Sequence, residues 1–241
     1  MAAETYLIVN ADDFGLSFGV NRGIIKAHEQ GIVTSTSLMV RWPAAPEAAT
    51  YGREHQSLSM GLHLDFGEWA YRDGAWVPVY EVVAEHDSAA VADEVSRQLS
   101  NFRRLVGKDP THIDSHQHIH LRESVRPVVI EAAVGLGVPL RQCRSNVHYC
   151  GAFYGQTAEG LPFPYGISVD SLYKILAGLP PGFTELCCHP GESVEVDTMY
   201  RSERSVEVKV LCDPRIRAAI SAMGIELCTF DSACSISQCR V

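Results

Sequence analysis

The chain contains no long apolar run. No stretch approaches the roughly 20 consecutive apolar residues that a membrane-spanning helix needs, so no membrane partner is expected. Its opening residues, MAAETYLIVNADD, carry neither a basic segment nor a small-residue cleavage pattern. An export signal is therefore not expected, and a cytoplasmic location is. Eight cysteines are present, yet no two stand as C-x-x-C, which removes the common thiol zinc and redox motifs. Without an export signal they are expected to be reduced thiols and not disulfides. Cations are in deficit, with 20 Lys and Arg against 29 Asp and Glu and a formal net charge of −9. Such a surface repels phosphate backbones, so nucleic acid is not an expected partner and a neutral or cationic ligand fits better. Gly-x-Ser-x-Gly, Walker and Rossmann patterns are all missing, which disfavours an acyl-serine enzyme, a P-loop NTPase and a dinucleotide enzyme.

What is present is an ordinary globular composition: 241 residues, 46% hydrophobic and 20% charged. That suffices for one large α/β domain spanning residues 1–241, and it leaves a homo-oligomer open. Short apolar runs alternate with amphipathic stretches. Strands are expected at 6–9, 32–40, 57–65, 111–119, 138–141, 185–188 and 225–230. Helices are expected at 20–29, 46–53, 89–106, 125–136, 168–176 and 213–223, with Ser168 and Asp213-Pro214 as N-terminal signals. Serial strand–helix units imply a parallel sheet. The expected fold is α/β, a distorted (β/α) barrel of about seven parallel strands, with an open doubly wound sheet as the alternative. Two irregular stretches, 66–85 and 145–166, carry aromatics, Gly and Pro, and long ordered loops of this kind are often functional.

Four polar clusters each follow an apolar strand: Asn10-Ala11-Asp12-Asp13-Phe14-Gly15, Gly61-Leu62-His63-Leu64-Asp65, the run from Thr111 to His120, and Cys187-Cys188-His189-Pro190-Gly191-Glu192. In a parallel barrel all strand C-termini share one face, so the clusters converge there. Adjacent carboxylates on a strand point to opposite sides. Of Asp12 and Asp13, one therefore holds a metal while the other handles a proton, or else Asp13 caps the next helix. His63, alone between leucines, reads first as a hydrogen-bonded core residue. His112, Asp114, His116, His118 and His120 change that reading, because they stand at every second position. Burying so many polar groups on one strand face without partners costs several kcal/mol. Both answers are expected in part: a metal takes an early member that points into the barrel mouth, and the strand stops near His116, leaving His118 and His120 in the loop as outer partners or surface groups. Imidazoles with a carboxylate suit one divalent metal ion, Zn²⁺ or Mg²⁺, with Co²⁺, Ni²⁺ or Mn²⁺ as alternates. Asp114 and Asp65 are candidates for holding the second ring nitrogen of a ligand histidine.

These motifs, together with Leu16-Ser17, Gly31-Ile32-Val33-Thr34-Ser35-Thr36 and Cys188-His189-Pro190, resemble the YdjC/ChbG-like family of carbohydrate deacetylases in order and spacing over nearly the whole chain. The resemblance implies a distorted barrel, a metal held by Asp13, His63 and His116, and Asp12 as catalytic base. It implies His189 as the imidazolium that protonates the leaving group. Arg141 is assigned to positioning the base and is grouped with the substrate-binding residues. Trp69, Tyr71 and Trp76, three aromatics in eight residues, are expected to line a sugar cleft. The expected activity is metal-dependent removal of acetyl groups from N-acetylated sugars such as N-acetylglucosamine-containing oligosaccharides. Hydrolysis of another amide or ester, or sugar binding without turnover, are the alternatives.

Overall fold

A computed structural model describes residues 4–143, 146–193, 195 and 197–233. Ser145, the first residue of the second irregular stretch, and Cys234 and Cys239 lie outside the described residues. The chain runs β1 (Thr5–Phe14), α1 (Phe18–Glu29), β2 (Ser35–Leu38), α2 (Ala45–Glu54), β3 (Ser59–Leu64) and a hairpin of β4 (Gly67–Arg72) and β5 (Ala75–Glu81). It continues with α3 (Ser88–Val106), β6 (Ile113–Ser115), α4 (Arg126–Leu136), β7 (Val147–Cys150), α5 (Val169–Ala177) and β8 (Gly182–Cys188). It then forms α6 (Ser202–Leu211), α7 (Pro214–Ala222) and β9 (Ile225–Leu227).

Seven strands make one parallel sheet in the order β6-β3-β2-β1-β8-β7, with β9 beside the start of β1. β1 is long enough to serve two neighbours on one edge: Thr5–Leu7 pairs with β9, and Asn10 onward pairs with β2. The sheet curls into an open, distorted barrel. Two layers of packing follow from strand alternation. Leu7, Val9 and Ala11 face outward into the main core, against helix residues such as Val20 and Ile24. Tyr6 and Ile8 face inward and meet Cys228, Phe230 and Ala233, an apolar plug at the N-terminal end of the barrel. Above the plug the interior turns polar, and that is where the site lies.

Several local expectations hold. Ser168 accepts a hydrogen bond from Ser171 N to cap α5, and Asp213 caps α7 in front of Pro214. The cap of α1 is Ser17, which accepts from Val20 N, so Asp13 is free of that duty. The expected strand at 138–141 is reduced to isolated bridges at Leu140, parallel to Ile113 and antiparallel to Cys143, while the unforeseen β7 joins β8 on the far side. The 66–85 stretch is no irregular loop: it holds the antiparallel β4–β5 hairpin, turned by Asp73 and Gly74, both at positive φ. The six described cysteines are free thiols, and no described helix is long and apolar enough to cross a membrane.

Candidate active site

The end of β1 carries a bulge. Its register with β2 shifts between Ala11 and Phe14, and Asp13 takes φ +69°, a region that few non-glycine residues enter. This turn defeats the alternation of a regular strand, so both Asp12 and Asp13 line the same cavity. Asp13 Oδ1 lies 3.2 Å from His63 Nε2 at the end of β3 and 3.1 Å from His116 Nδ1 after β6. Its other oxygen accepts from Arg204 Nη2 at 2.6 Å, and Arg204 is itself fully buried on α6. His63 Nδ1 stands 2.7 Å from Asp114 Oδ1, so Asp114 holds the ring as anticipated. Asp65 does not: it binds Arg41, Trp42 and Tyr80.

Asp12 sits in a charged network inside the barrel. Arg141 binds it twice, Nη1 to Oδ2 at 2.6 Å and Nη2 to Oδ1 at 2.7 Å. The same guanidinium reaches Asp114 Oδ2 at 2.7 Å and Glu185 Oε1 at 2.6 Å. Burial alone would raise the Asp12 carboxyl, but the Arg141 guanidinium overrides it and holds it well below the usual carboxylate range. The Arg141 side chain has no exposed surface and does not line the cavity. Expected among the substrate-binding residues, it has no surface on the cavity and meets it only through Asp12.

His189 follows β8, with Nε2 3.9 Å from Asp12 Oδ2. Its backbone N–H donates to Glu207 Oε2 at 2.5 Å, a second anchor from α6. Burial pushes its imidazole down to about 4, which favours the neutral ring at rest. The strand stops near His116, as expected, and the alternation from His112 to His120 ends there. β6 stops at Ser115, and Gln117 and His118 both adopt left-handed φ, near 49° and 55°. Only His116 of that run joins the Asp13 group. His112 stacks on Phe230 with ring centroids 3.8 Å apart, His118 meets the Tyr149 hydroxyl at 3.1 Å, and His120 pairs with Ser115 at 2.7 Å.

The residues fit a divalent cation. Asp13, His63 and His116 are buried and present one ligand atom each within 4.8 Å of one another, a carboxylate–imidazole set that leaves coordination positions open. His116 Nε2 is buried without a hydrogen-bond partner, and Glu68 Oε2 is still 3.8 Å away. Burial works against a charged His63, yet the Asp114 and Asp12 carboxylates outweigh it and lift the imidazole to about 10.

The cavity above this group has a volume of about 540 Å³. Trp69 and Trp76 line it, but Tyr71 does not: its ring packs edge-on against Trp76 at 5.7 Å. Two mutual hydrogen bonds of 2.8 Å between Gln117 and the Trp69 backbone tie the hairpin to the His116 loop. The opposite wall is supplied by Tyr149, Phe153, Tyr154 and Tyr200, which the sequence reading did not single out. Also missed were Glu68, Arg204 and Glu207.

Comparison with known proteins gives a consistent picture. The profile of the family described as YdjC-like protein matches residues 6–222. A chitooligosaccharide deacetylase from Serratia marcescens is 31% identical, covering 94% of this chain and 98% of its own. A carbohydrate deacetylase from Geobacillus stearothermophilus is 32% identical, covering 93% and 96%. Among solved structures, a protein of Enterococcus faecalis V583 for which cellobiose-phosphate cleavage is suggested superposes with a TM-score of 0.74 at 26% identity, covering 95% and 99% of the two chains. A family 4 carbohydrate esterase from Streptomyces lividans, at TM-score 0.53, 13% identity and coverage of 95% and 93%, shares the fold.

Proposed function

The chain belongs to the YdjC-like protein family, and on that premise we propose that it is a metal-dependent carbohydrate N-deacetylase acting on N-acetylated sugars. The observation that carries the reading is the convergence of Asp13, His63 and His116 with Asp12 and His189 under one aromatic-lined cavity. Asp13, His63 and His116 would hold a single divalent ion, Zn²⁺ or Mg²⁺ or a first-row relative. Bound there, it supplies electrophilic polarisation of the acetyl oxygen and of the attacking water.

The chain's own groups then manage the protons. Asp12 Oδ1 is taken by Arg141, Asn10 and Ser37, whereas Oδ2 accepts from Arg141 alone and has a lone pair left for water. Asp12 takes the proton of the water that attacks the acetyl carbon. His189, neutral at rest, must gain within the turnover the proton it delivers, and Asp12 is the adjacent donor. His189 Nε2 passes that proton to the amide nitrogen as the C–N bond breaks, because an unprotonated amide nitrogen is a very poor leaving group. The products are acetate and an amino sugar.

Acetate release from N-acetylglucosamine oligomers, measured with and without chelator, tests the reaction. Activity is expected to vanish on metal removal and to return on adding back a single equivalent of Zn²⁺ or Co²⁺. In parallel, elemental analysis of His63→Ala and His116→Ala is expected to show loss of stoichiometric metal. Full occupancy in both variants removes the assigned ligand set.

The hairpin has its own test. Sugar rings present apolar C–H faces that stack on aromatic rings. Trp69 is held in place by the Arg122 guanidinium, 4.4 Å from its ring centroid, and Trp76 is half exposed at the rim. Trp69→Ala and Trp76→Ala are each expected to raise KM roughly 2- to 10-fold, the equivalent of about 0.5–1.5 kcal/mol of ring contact, with a smaller change in kcat. An unchanged KM for every active substrate would show that the rings do not carry the sugar.

A further inference from the structure

Asp12, Cys187 and His189 form a second convergent group in the cavity, distinct from Asp13, His63 and His116. The β1–β8 ladder sets Cys187 opposite Asn10, both on the inward face, while Cys188 points outward and donates its thiol to Asn10 O at 3.3 Å. Cys187 is only 2% exposed. Its sulfur makes a long contact with His189 Nε2, at 4.0 Å, and that nitrogen lies 3.9 Å from Asp12 Oδ2. The thiol therefore lines the cavity with only a long, weak hydrogen bond to His189. A tetrahedral zinc with bonds of about 2.0–2.3 Å holds its donors roughly 3.3–3.8 Å apart, so the two edges that meet at His189 need to close by only a few tenths of an ångström, and the Cys187–Asp12 edge closes from within 4.8 Å.

We propose that Asp12, Cys187 and His189 are a second metal site, selective for a thiophilic divalent cation such as zinc, whose filling silences the enzyme. The two groups differ in softness. One carboxylate and two imidazoles accept a range of divalent ions, whereas a thiolate favours zinc and similar soft ions over Mg²⁺ or Mn²⁺. On binding, Cys187 gives up its thiol proton to solvent and the sulfur lone pair forms the metal bond, while His189 binds as the neutral imidazole. Arg141 beside Asp12 opposes a further cation, but Asp114 and Glu185 share its charge. The silencing rests on the deacetylase reading, since the ion would occupy the Asp12 oxygen and the His189 nitrogen assigned to proton transfer. The existence of the site does not rest on it.

Cobalt(II) titration of the metal-free protein reads the site directly. The first equivalent is expected to show no thiolate band. The second should bring a near-ultraviolet thiolate-to-cobalt charge-transfer absorption that persists in Cys188→Ser and is lost, with the second equivalent, in Cys187→Ser and Cys187→Ala. Kinetically, zinc added to the singly loaded protein should lower acetate release by at least about 10²-fold relative to the same protein without added zinc, the lower end of what acid–base assistance contributes. In Cys187→Ser the zinc concentration needed should rise by at least about 10-fold, since even outer partners of a metal ligand contribute that much. A second equivalent without the band, or a band that survives in Cys187→Ser, overturns the site. A band without inhibition overturns the silencing. A protein that releases no acetate from any sugar overturns the deacetylase reading, and the cobalt titration still decides the site.

Discussion

Asp12→Asn is expected to fold, keep its metal and lose roughly 10²–10⁴-fold in kcat, the usual contribution of general-base assistance, with a smaller change in KM. The reason lies in the division of labour at the β1 bulge. Asp13 is turned towards His63 and His116, and Asp12 remains over the barrel interior with Oδ2 open to the cavity. An amide keeps the size of the carboxylate and can retain the bond from Asn10, but it cannot accept water's proton. The substitution also has a structural cost. Arg141 donates to both oxygens of Asp12, and the amide can offer only one acceptor to that fork. Some loss of melting temperature is therefore expected alongside the kinetic loss, and the two must be read on one preparation. A structural role alone predicts lower stability with near-normal kcat in whatever folds. Metal content, melting temperature and kcat of the same Asp12→Asn sample separate the cases. Near-normal turnover in a stable, metal-loaded variant would move the base to another group.

The convergence of the four clusters was legible in the sequence because it depends only on topology. In a parallel sheet the strand C-termini share one face, whatever the local detail. Period-2 reasoning fails where the backbone leaves the strand. Asp12 and Asp13 act on one cavity because Asp13 is left-handed, and the alternation of His112 to His120 ends at Gln117 and His118 for the same reason. The hairpin carried an available signal in Asp73-Gly74 between two aromatic runs, the composition a type I′ turn requires. α6 offered no such signal. It starts at Arg201 without a side-chain cap, and its buried face carries Glu203, Arg204 and Glu207 among its aliphatic residues. A helix that turns charges inward has no clean apolar stripe, and two of these charges, Arg204 and Glu207, grip Asp13 and the backbone of His189. The function is thus what hides the element.

Arg141→Met should be among the most destabilising single substitutions in the chain, by about 3–5 kcal/mol, the range for breaking a buried ion pair by removing one partner. Methionine fills most of the space but leaves Asp12, Asp114 and Glu185 facing one another in the barrel. All three are buried, and the guanidinium is their shared counter-charge. Glu185 is already strained in this respect: burial pushes its carboxyl up to about 7 even with Arg141 present. The pH dependence identifies the cause. In the native protein Asp12 and Asp114 lie below the ordinary carboxylate value of 3.8, so their stabilisation is present above that value and is lost as pH falls through the lowered one. Without Arg141, burial and mutual repulsion raise them instead. The folded variant then binds more protons than the unfolded chain, and its stability falls as pH rises. The gap between variant and native protein should therefore narrow as pH drops from 7 towards 5. Arg141→Lys should fall between the two, because an ammonium keeps the charge but cannot span three carboxylates as a planar fork does. Urea unfolding of the metal-free proteins at both pH values tests this. An Arg141→Met protein within about 1 kcal/mol of the native one, the average for point substitutions, or a gap that widens on acidification, would show that the guanidinium is not what holds these carboxylates together.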